Sequence, residues 1–255
     1  MKKIISVIAM ILMLTGCGDI VGGDLNDINK RGYIVIATEG TWMPWTYHDD
    51  DGSLVGFDVE IGKYIADYLN VDVKYIETEW DSILAGVEAG RYDMMINGCD
   101  VTEDRKEAYD FSDAYANDII VVVTKSDNNS ISSMEDLKGK ITANTSSSTY
   151  ASIASEYGAT VKGVDDLNET FMLLSTGRID ATINAEVTFN EYMNKHPEAD
   201  FKVACYYPNY SKIAIPMKKG STELVKKVNE AIACAKKDGT LTNLSMKYFG
   251  MDITK

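Results

Sequence analysis

The chain has few of the side chains that most often bind metals, because its 255 residues include only two histidines and four cysteines. One of these, Cys17, belongs to the leader described below. The others, Cys99, Cys205 and Cys234, lack the paired spacing of a zinc site, and their odd number allows at most one intramolecular disulfide in an exported protein. We therefore expect neither a metal nor a cofactor, and whether any two of these cysteines pair is left open.

Basic residues are also scarce, with 25 Lys and Arg against 39 Asp and Glu, so the formal net charge is −14. An acidic surface repels the phosphate backbone of nucleic acids, which argues against a nucleic-acid partner. The proportions of 45% hydrophobic and 25% charged residues are typical of a globular protein with a substantial core. The length fits one large domain or two of ordinary size.

The main apolar run, residues 4–14, is too short to span a bilayer as a helix. Lys2 and Lys3 precede it and Leu-Thr-Gly-Cys17 ends it, a pattern typical of a bacterial lipoprotein signal peptide. We predict a leader over residues 1–16, a lipid on Cys17, and a location outside the cytoplasm at the membrane surface. The alternative is an ordinary secretory leader with an incidental cysteine. Residues 17–29, rich in Gly, Asp and Asn, are predicted to be a flexible tether.

One short pattern, Gly-Arg-x-Asp-x-x-Ile-Asn, occurs at residues 90–97 and again at residues 177–184. In each copy a helix end precedes a buried strand that stops at a polar residue. Open α/β sheets bind ligands at the carboxyl ends of their strands. The repeat therefore predicts two similar lobes, each contributing a strand end to a shared cleft.

Hydrophobic periodicity predicts an α/β fold. The apolar run at residues 33–37 indicates a strand buried on both faces, and the i+4 spacing of Phe57, Ile61, Ile65 and Leu69 indicates a helix. An alternating strand follows, then a short helix capped by Asp81 and the strand of the first repeat. This is a β-α-β-α-β unit.

A second β-α-β pattern follows, with strands on either side of a loop at Pro208 and Asn209. Two amphipathic helices, at residues 222–237 and 241–249, end the chain. The second unit is thus inserted into the first. We predict one lobe from residues 30–116 and 212–255 and another from residues 117–211.

Several motifs resemble, in order, those of the polar amino-acid-binding proteins of ABC importers, over about residues 30–255. They are Glu39-Gly-Thr-Trp42-x-Pro-Trp45, Gly56-Phe-Asp-Val-Glu60, Trp80-Asp-Ser-Ile-Leu84, Thr102-Glu-Asp-Arg105, Asp110-Phe-Ser112, and Lys236-x-Asp-Gly-Thr-Leu241 with Lys247-Tyr-Phe-Gly250. The contexts of Glu39 and Glu79-Trp-Asp81 are most similar to the cystine-binding branch. The resemblance implies two lobes, each a sheet flanked by helices, joined by two hinge strands near residues 115–119 and 208–212. It also implies a monomer that closes around one amino acid and docks on a membrane permease.

The resemblance also implies the ligand contacts. Arg105 matches an arginine that grips the ligand carboxylate with a bidentate fork. Ser147 and Ser148 match a helix start whose N–H groups meet the same carboxylate. Trp42 and Trp80 match the walls around the ligand. The remaining candidates, at positions that contact its ammonium, carboxylate or side chain, are Glu39, Asn97, Gly98, Asp100, Thr102, Asn184 and Glu186.

Two positions depart from the family pattern. Ala185 stands where most relatives carry the aspartate that binds the ligand ammonium, and Asp100 stands where relatives usually have threonine or another neutral residue. Our hypothesis is that Asp100 supplies the missing carboxylate from the opposite lobe, with Glu186 as the second candidate.

No nucleophile and base pair, metal cluster or phosphate-binding loop is evident, so we predict a substrate-binding protein rather than an enzyme. Two alternatives are a dehydratase of the same fold acting on a prephenate-like substrate, with Glu39 or Asp100 as acid, and a sensory module, which a transmembrane segment would normally follow. The ligand is left open. The branch resemblance favours cystine or cysteine, the acidic residues favour a basic amino acid, and the two tryptophans favour an aromatic one. Whether the cell has one membrane or two is also left open.

Overall fold

A computed structural model describes residues 24–255 of the chain. The predicted leader, Cys17 and residues 17–23 of the predicted tether lie outside the described residues. Within residues 24–255, every helix is too short or too polar to cross a membrane.

The described residues form alternating strands and helices. In chain order the strands are β1 (Tyr33–Thr38), β2 (Thr41–Trp42), β3 (Thr46–His48), β4 (Leu54–Val55), β5 (Asp72–Glu77), β6 (Met94–Met95), β7 (Tyr109–Phe111), β8 (Ala116–Lys125), β9 (Ile141–Asn144), β10 (Thr160–Gly163), β11 (Thr182–Ala185), β12 (Phe201–Ile213) and β13 (Pro216–Lys218). The α-helices are α1 (Leu25–Arg31), α2 (Phe57–Leu69), α3 (Trp80–Glu88), α4 (Glu103–Ala108), α5 (Thr149–Glu156), α6 (Leu167–Ser175), α7 (Glu186–Lys195), α8 (Thr222–Lys237) and α9 (Thr240–Phe249). A 3-10 helix spans Met134–Leu137.

Lobe 1 is built on a sheet with the strand order β5-β1-β6-β13-β7. Strand β1 runs parallel to β5 and β6, as the predicted β-α-β-α-β unit requires, and β13 joins antiparallel after the chain returns from lobe 2. Helix α8 then packs against α2 and α9, so the last part of the chain completes the core of lobe 1. The second unit is therefore inserted into the first.

Lobe 2 has its own sheet, in which β8 lies between β11 and β12. The parallel pair β9 and β10 extends this sheet through a bridge between Thr142 and Ala181. Successive side chains of β8 point to opposite faces of the sheet. Ile120 and Val122 pack in one hydrophobic cluster, and Val121 and Val123 pack in another. The run of β-branched residues in β8 is explained by this burial on both faces.

The chain crosses between the lobes in β8 and β12, which pair antiparallel from Ala116 and Ile213 to Lys125 and Phe201. The prediction of two strands around a loop at residues 208–209 is wrong. The structure has one strand, Phe201–Ile213, whose pairing is irregular between Tyr206 and Tyr210. The predicted boundaries at residues 116/117 and 211/212 fall in the paired stretch, and the exact residue at which each lobe ends stays a prediction.

The predicted tether is also wrong at its end. Helix α1 begins at Leu25, capped by the side chain of Asp24, and is terminated after Arg31 by Gly32, which has a left-handed conformation. Ile28 is fully buried in the core of lobe 1. A segment with a single buried apolar side chain gives no periodic signal, so the sequence alone did not reveal this helix.

The buried carboxyl group of Asp58, in the first turn of α2, connects the core of lobe 1 to the cleft and to β8. Its Oδ2 accepts a hydrogen bond from the backbone N–H of Gly98 at 2.5 Å, and its Oδ1 accepts one from the hydroxyl of Tyr115 at 2.9 Å. Burial raises the pKa of Asp58 to about 7 against an ordinary value of 3.8, although both hydrogen bonds lower it.

We expect this carboxyl group to make folding stability depend on pH. Because its pKa is higher in the folded protein than in the unfolded chain, its contribution should fall as pH rises from about 4 to about 7. The free energy of unfolding of the wild type, measured by denaturant titration relative to Asp58→Asn, should decrease across this range. Asp67→Asn, an exposed substitution on the same helix, should leave the dependence intact. A difference that stays constant or increases with pH would contradict the assignment.

Candidate functional site

A cleft of about 580 Å³, including its open mouth, lies between the two lobes. Lobe 1 lines it with Glu39, Thr41, Trp42, Trp80, Gly98 and Asp100, and lobe 2 lines it with Asn144, Thr145, Ser148, Thr149, Tyr150, Asp166, Leu167, Thr170 and Asn184. The predicted site residues among them are Glu39, Trp42, Trp80, Gly98, Asp100, Ser148 and Asn184. The lining contains three carboxyl side chains and no lysine or arginine.

Arg105 lies next to this lining, in the first turns of α4. Its Nη1 donates to the carbonyl oxygen of Asp100 at 3.1 Å, and its Nη2 donates across the cleft to the carbonyl oxygen of Ser147 at 3.1 Å. The guanidinium carbon is 5.4 Å from the centre of the Trp80 ring. Arg105 is the only basic residue among the buried residues of 24–255. A guanidinium has five N–H donors, so these contacts orient the group without using all of its donors.

The start of α5 faces Arg105 from lobe 2. Ser148 caps this helix, since its hydroxyl accepts a hydrogen bond from Ala151 N–H at 3.1 Å and donates to the carbonyl oxygen of Thr145 at 2.7 Å. Thr149 and Tyr150, the first residues of the helix, line the cleft. The first N–H groups of a helix have no partner within it and carry a partial positive charge, which suits a carboxylate.

Asp100 is 4% exposed, and its Oδ1 has no hydrogen-bond partner of good geometry among the described residues. Its Oδ2 is 3.9 Å from Nη1 of Arg105. Burial raises the pKa of Asp100, while Arg105 and the nearby hydroxyls of Ser211 and Thr149 lower it. A buried carboxyl group with an unused oxygen is suited to bind a cation that arrives with the ligand.

A second buried carboxyl group, Asp118 of β8, lies beside Asp100. Its Oδ2 accepts a hydrogen bond from the Tyr150 hydroxyl at 2.8 Å, and its Oδ1 has no partner among residues 24–255. Burial, and next the charge of Asp100, raise its pKa well above the ordinary value. Asp118 was not among the predicted site residues, although an acidic residue directly before the apolar run at residues 119–123 was a signal that could have found it.

Glu39 is fixed by Asn97, which explains why Asn97 itself does not line the cleft. Asn97 Nδ2 donates to Glu39 Oε2 at 2.6 Å, while its Oδ1 accepts from Glu39 N–H and from the Thr38 hydroxyl, each at 2.8 Å. The amide of Asn97 is therefore engaged within lobe 1. Burial raises the pKa of Glu39 to about 7.

Tryptophans form the wall on the lobe 1 side. Trp42 stacks on Trp45 with ring centres 5.3 Å apart, and Trp45 is fully buried beneath it, where its Nε1 donates to the Thr188 hydroxyl of lobe 2. Gly98 has φ of +53°, and a Cβ at this position would overlap the ring of Trp42. A glycine is needed here both for the left-handed backbone and for the close approach of the indole.

The other predicted site residues lie outside the cleft lining. Thr102 caps α4, accepting a hydrogen bond from Arg105 N–H at 3.2 Å. Ser147 is exposed, and Glu186 is held by the Tyr206 hydroxyl at 3.0 Å. Ala185 is fully buried in the hydrophobic core cluster of lobe 1.

Asp81 does not cap α3, contrary to the prediction. The helix begins at Trp80, and Asp81 Oδ1 accepts hydrogen bonds from the hydroxyl of Ser147 at 2.5 Å and from its N–H at 3.2 Å. Together with the bond from Arg105 to Ser147 and that from Trp45 to Thr188, this contact joins the two lobes directly. The lobes therefore have a closed arrangement.

We expect Gly98→Ala to weaken ligand binding about tenfold or more, because the new methyl group must displace Trp42 from the cleft wall. Gly139→Ala is the matched control, since Gly139 has φ of +76° but open space, with no other atom within 4 Å, where its new methyl group would lie. Both variants should lose about 1 kcal/mol of stability from the strained backbone. Titration calorimetry with the bound amino acid should show an affinity loss in Gly98→Ala alone, and equal affinities would refute this role.

Comparisons with known proteins agree on one protein family. The family "Bacterial extracellular solute-binding proteins, family 3" matches residues 34–251. The L-cystine-binding protein TcyA of Bacillus subtilis (strain 168) is 40% identical over 235 residues, covering 91% of this chain and 87% of that protein.

Two solved structures are similar across both lobes. The L-cystine solute receptor of Neisseria gonorrhoeae, in its unliganded open conformation, is 38% identical with a TM-score of 0.62, covering 91% of this chain and 100% of the receptor. An ancestral arginine-binding protein bound to arginine is 35% identical with a TM-score of 0.80, covering 86% of this chain and 99% of the other. The higher score against the ligand-bound protein agrees with the direct contacts between the lobes. The chain belongs to the bacterial extracellular solute-binding proteins, family 3, the amino-acid-binding proteins associated with ABC transporters.

Proposed function

We propose that the protein captures L-cystine, or another polar amino acid, between its lobes and delivers it to the permease of an ABC importer. The observation that carries this proposal is the pairing of Asp100 and Arg105 on one side of the cleft with the start of α5 on the other. The 40% identity with the L-cystine-binding protein TcyA supports cystine as the first ligand to test.

A zwitterion buried between lobes needs partners for both of its charges, since an unpaired buried charge is costly. Arg105 and the first N–H groups of α5 supply donors for the carboxylate. Asp100, whose Oδ1 has no partner of good geometry among the described residues, supplies an acceptor for the ammonium. The ligand ammonium then stabilises the charged form of Asp100, which burial disfavours.

Asp100 is a better candidate than Glu186 for the carboxylate that relatives place at the position of Ala185. Ala185 has no polar side chain and packs in the core. Glu186 is engaged by the Tyr206 hydroxyl and does not line the cleft. Asp100 lines the cleft and is buried beside Arg105. These contacts support our hypothesis that the ammonium is bound from lobe 1.

A dehydratase acting on a prephenate-like substrate is the second candidate function. The observation in its favour is Glu39, a carboxyl group in the cleft with a pKa of about 7, which suits a general acid near neutral pH. Binding without turnover favours the transport function, and turnover of prephenate favours the enzyme.

A ligand panel tests the proposal. Titration calorimetry of the purified protein should give micromolar or tighter affinity for at least one of cystine, cysteine, arginine, glutamine and histidine, with cystine expected to bind best. The same preparation should not consume prephenate in a spectrophotometric assay. Lack of binding to every amino acid in a broad panel would refute the proposed function.

Asp100→Asn should weaken binding of the amino acid by at least about 2 kcal/mol, roughly thirtyfold, because the ligand ammonium loses its buried counter-charge. Asp104→Asn removes an exposed carboxylate from the neighbouring helix and should leave the affinity unchanged. Titration calorimetry on both variants measures the affinity for the amino acid. Unchanged affinity in Asp100→Asn would exclude Asp100 as the ammonium partner.

We further propose that a lipid on Cys17 holds the protein on the outer face of the cytoplasmic membrane or in the periplasm. The support is the leader with its terminal Leu-Thr-Gly-Cys17. Cys17→Ser should move the protein from the membrane fraction to the soluble fraction of the cell or to the medium. An unchanged membrane fraction would contradict lipid anchoring at this residue.

A further inference from the structure

Two buried carboxyl groups, those of Asp100 and Asp118, face the same side of the sheet where the chain crosses between the lobes. Asp118 of β8 is paired with Ser211 of β12, and Asp100 forms an antiparallel bridge with Ile213, two residues further along β12. Residues paired across strands, and residues two apart on one strand, point to the same face of a sheet. The two carboxyl groups therefore lie on one face, on either side of β12.

Hydrogen bonds hold this arrangement and place it directly behind the cleft. The N–H groups of Val101 and Ala214 take part in backbone hydrogen bonds of 2.9 and 3.0 Å that hold residues 99–101 beside the end of β12. Tyr150 approaches from lobe 2 and donates its hydroxyl to Oδ2 of Asp118 at 2.8 Å. Because Tyr150 also lines the cleft, only this side chain separates Asp118 from the ligand space on that side.

The pair has fewer donors and cations than two carboxylates need. Asp100 is 4% exposed and Asp118 is 2% exposed, and Oδ1 of each has no hydrogen-bond partner of good geometry among residues 24–255. The hydroxyl of Thr149, at the start of α5 in the cleft lining, is likewise a buried atom without such a partner. Arg105 is the one buried basic residue in this described part of the chain, and its Nη1 lies 3.9 Å from Oδ2 of Asp100.

The charges around the pair are predominantly negative. The titratable groups that face it are Arg105 and Cys99 beside Asp100, and Tyr150 and Glu186 beside Asp118. Two ionised carboxylates would leave this buried region with more negative than positive charge, which is costly. Burial and the charge of Asp100 accordingly raise the pKa of Asp118 well above its ordinary value. One proton on the pair balances the single positive charge of Arg105 against one carboxylate.

We propose that Asp118 acts with Asp100 in binding the ligand ammonium, and that the two carboxyl groups share one proton, which the ammonium displaces to the solvent when it binds. An ammonium group carries one positive charge and three N–H donors, so it replaces both the charge and the donor that the proton supplied. The ligand carboxylate lies at Arg105 and the start of α5. This inference rests on the proposed function, which brings the ammonium to Asp100.

Amino-acid binding should therefore release a proton and be favoured by rising pH, because the bound state holds fewer protons than the free protein. The probe is L-cystine, or L-arginine if cystine does not bind. Titration calorimetry at about pH 6.5 in phosphate and in Bis-Tris, two buffers that differ in their enthalpy of ionisation, should show release of about one proton per ligand. The affinity should rise between about pH 5.5 and about pH 7.5, by at most about tenfold per pH unit.

Asp118→Asn should abolish this proton release. Its amide oxygen can accept the Tyr150 hydroxyl, but the amide cannot hold or release a proton in this range. The affinity of the variant should change less than about twofold across the pH range, and at about pH 5.5 it should lie within about threefold of the wild type. Asp127→Asn removes an exposed carboxylate just after β8 and should match the wild type.

Two further variants identify the source of the proton. Glu39→Gln removes the cleft carboxyl group whose pKa is raised to about 7, and this variant should still release the proton. Tyr150→Phe removes the hydroxyl that lowers the pKa of Asp118, so the rise in affinity should move to higher pH. Tyr150→Phe keeps the inference testable if Asp118→Asn does not fold.

The outcomes separate this inference from the proposed function. Binding by the wild type without proton release, equal release by Asp118→Asn, or loss of release in Glu39→Gln would overturn the shared proton while leaving amino-acid binding intact. An unshifted pH dependence in Tyr150→Phe would also count against it. Failure of the wild type to bind any amino acid would overturn the proposed function itself, and this inference with it.

Discussion

The buried carboxyl group of Asp58 fixes the cleft relative to the core. It accepts hydrogen bonds from Gly98, in the wall of the cleft, and from Tyr115, directly before the first strand that crosses between the lobes. A buried carboxyl group is costly unless such donors satisfy it. The cleft wall and the start of the crossing are therefore held by the same side chain, and neither can shift without disturbing the other.

The direct contacts between the lobes involve the same residues that place charges at the cleft. Arg105 is the only buried basic residue among the described residues, and it donates hydrogen bonds to the carbonyl oxygens of Asp100 in lobe 1 and Ser147 in lobe 2. The hydroxyl of Ser147 in turn donates to Asp81. The bonds of Ser147 to Arg105 and to Asp81 exist only when the lobes meet, and they hold the residue next to the helix start that suits a carboxylate. The lining itself supplies acidic groups and no bases. This acidic lining is the physical basis of the ammonium role that we propose for Asp100.

The sequence by itself determined the α/β class, the insertion of one lobe into the other and the position of Asn97 at a strand end, because these follow from periodicity and chain order. Seven of the fifteen residues that line the cleft, including Trp42, Trp80 and Ser148, followed from motifs that resemble a known family. Helix α1 escaped this reasoning, since Ile28 becomes a core residue only when the lobe 1 helices pack around it.

The tertiary structure decided which polar groups remain available to a ligand. Asn97 was a good candidate from sequence, but its amide is engaged by Glu39 and Thr38. Asp118 and Asp166 lie at the site because strand pairing and contact between the lobes bring them close to residues that are distant in the sequence. Hydrogen-bond partners and electrostatic neighbours depend on such long-range packing, which local sequence patterns do not encode.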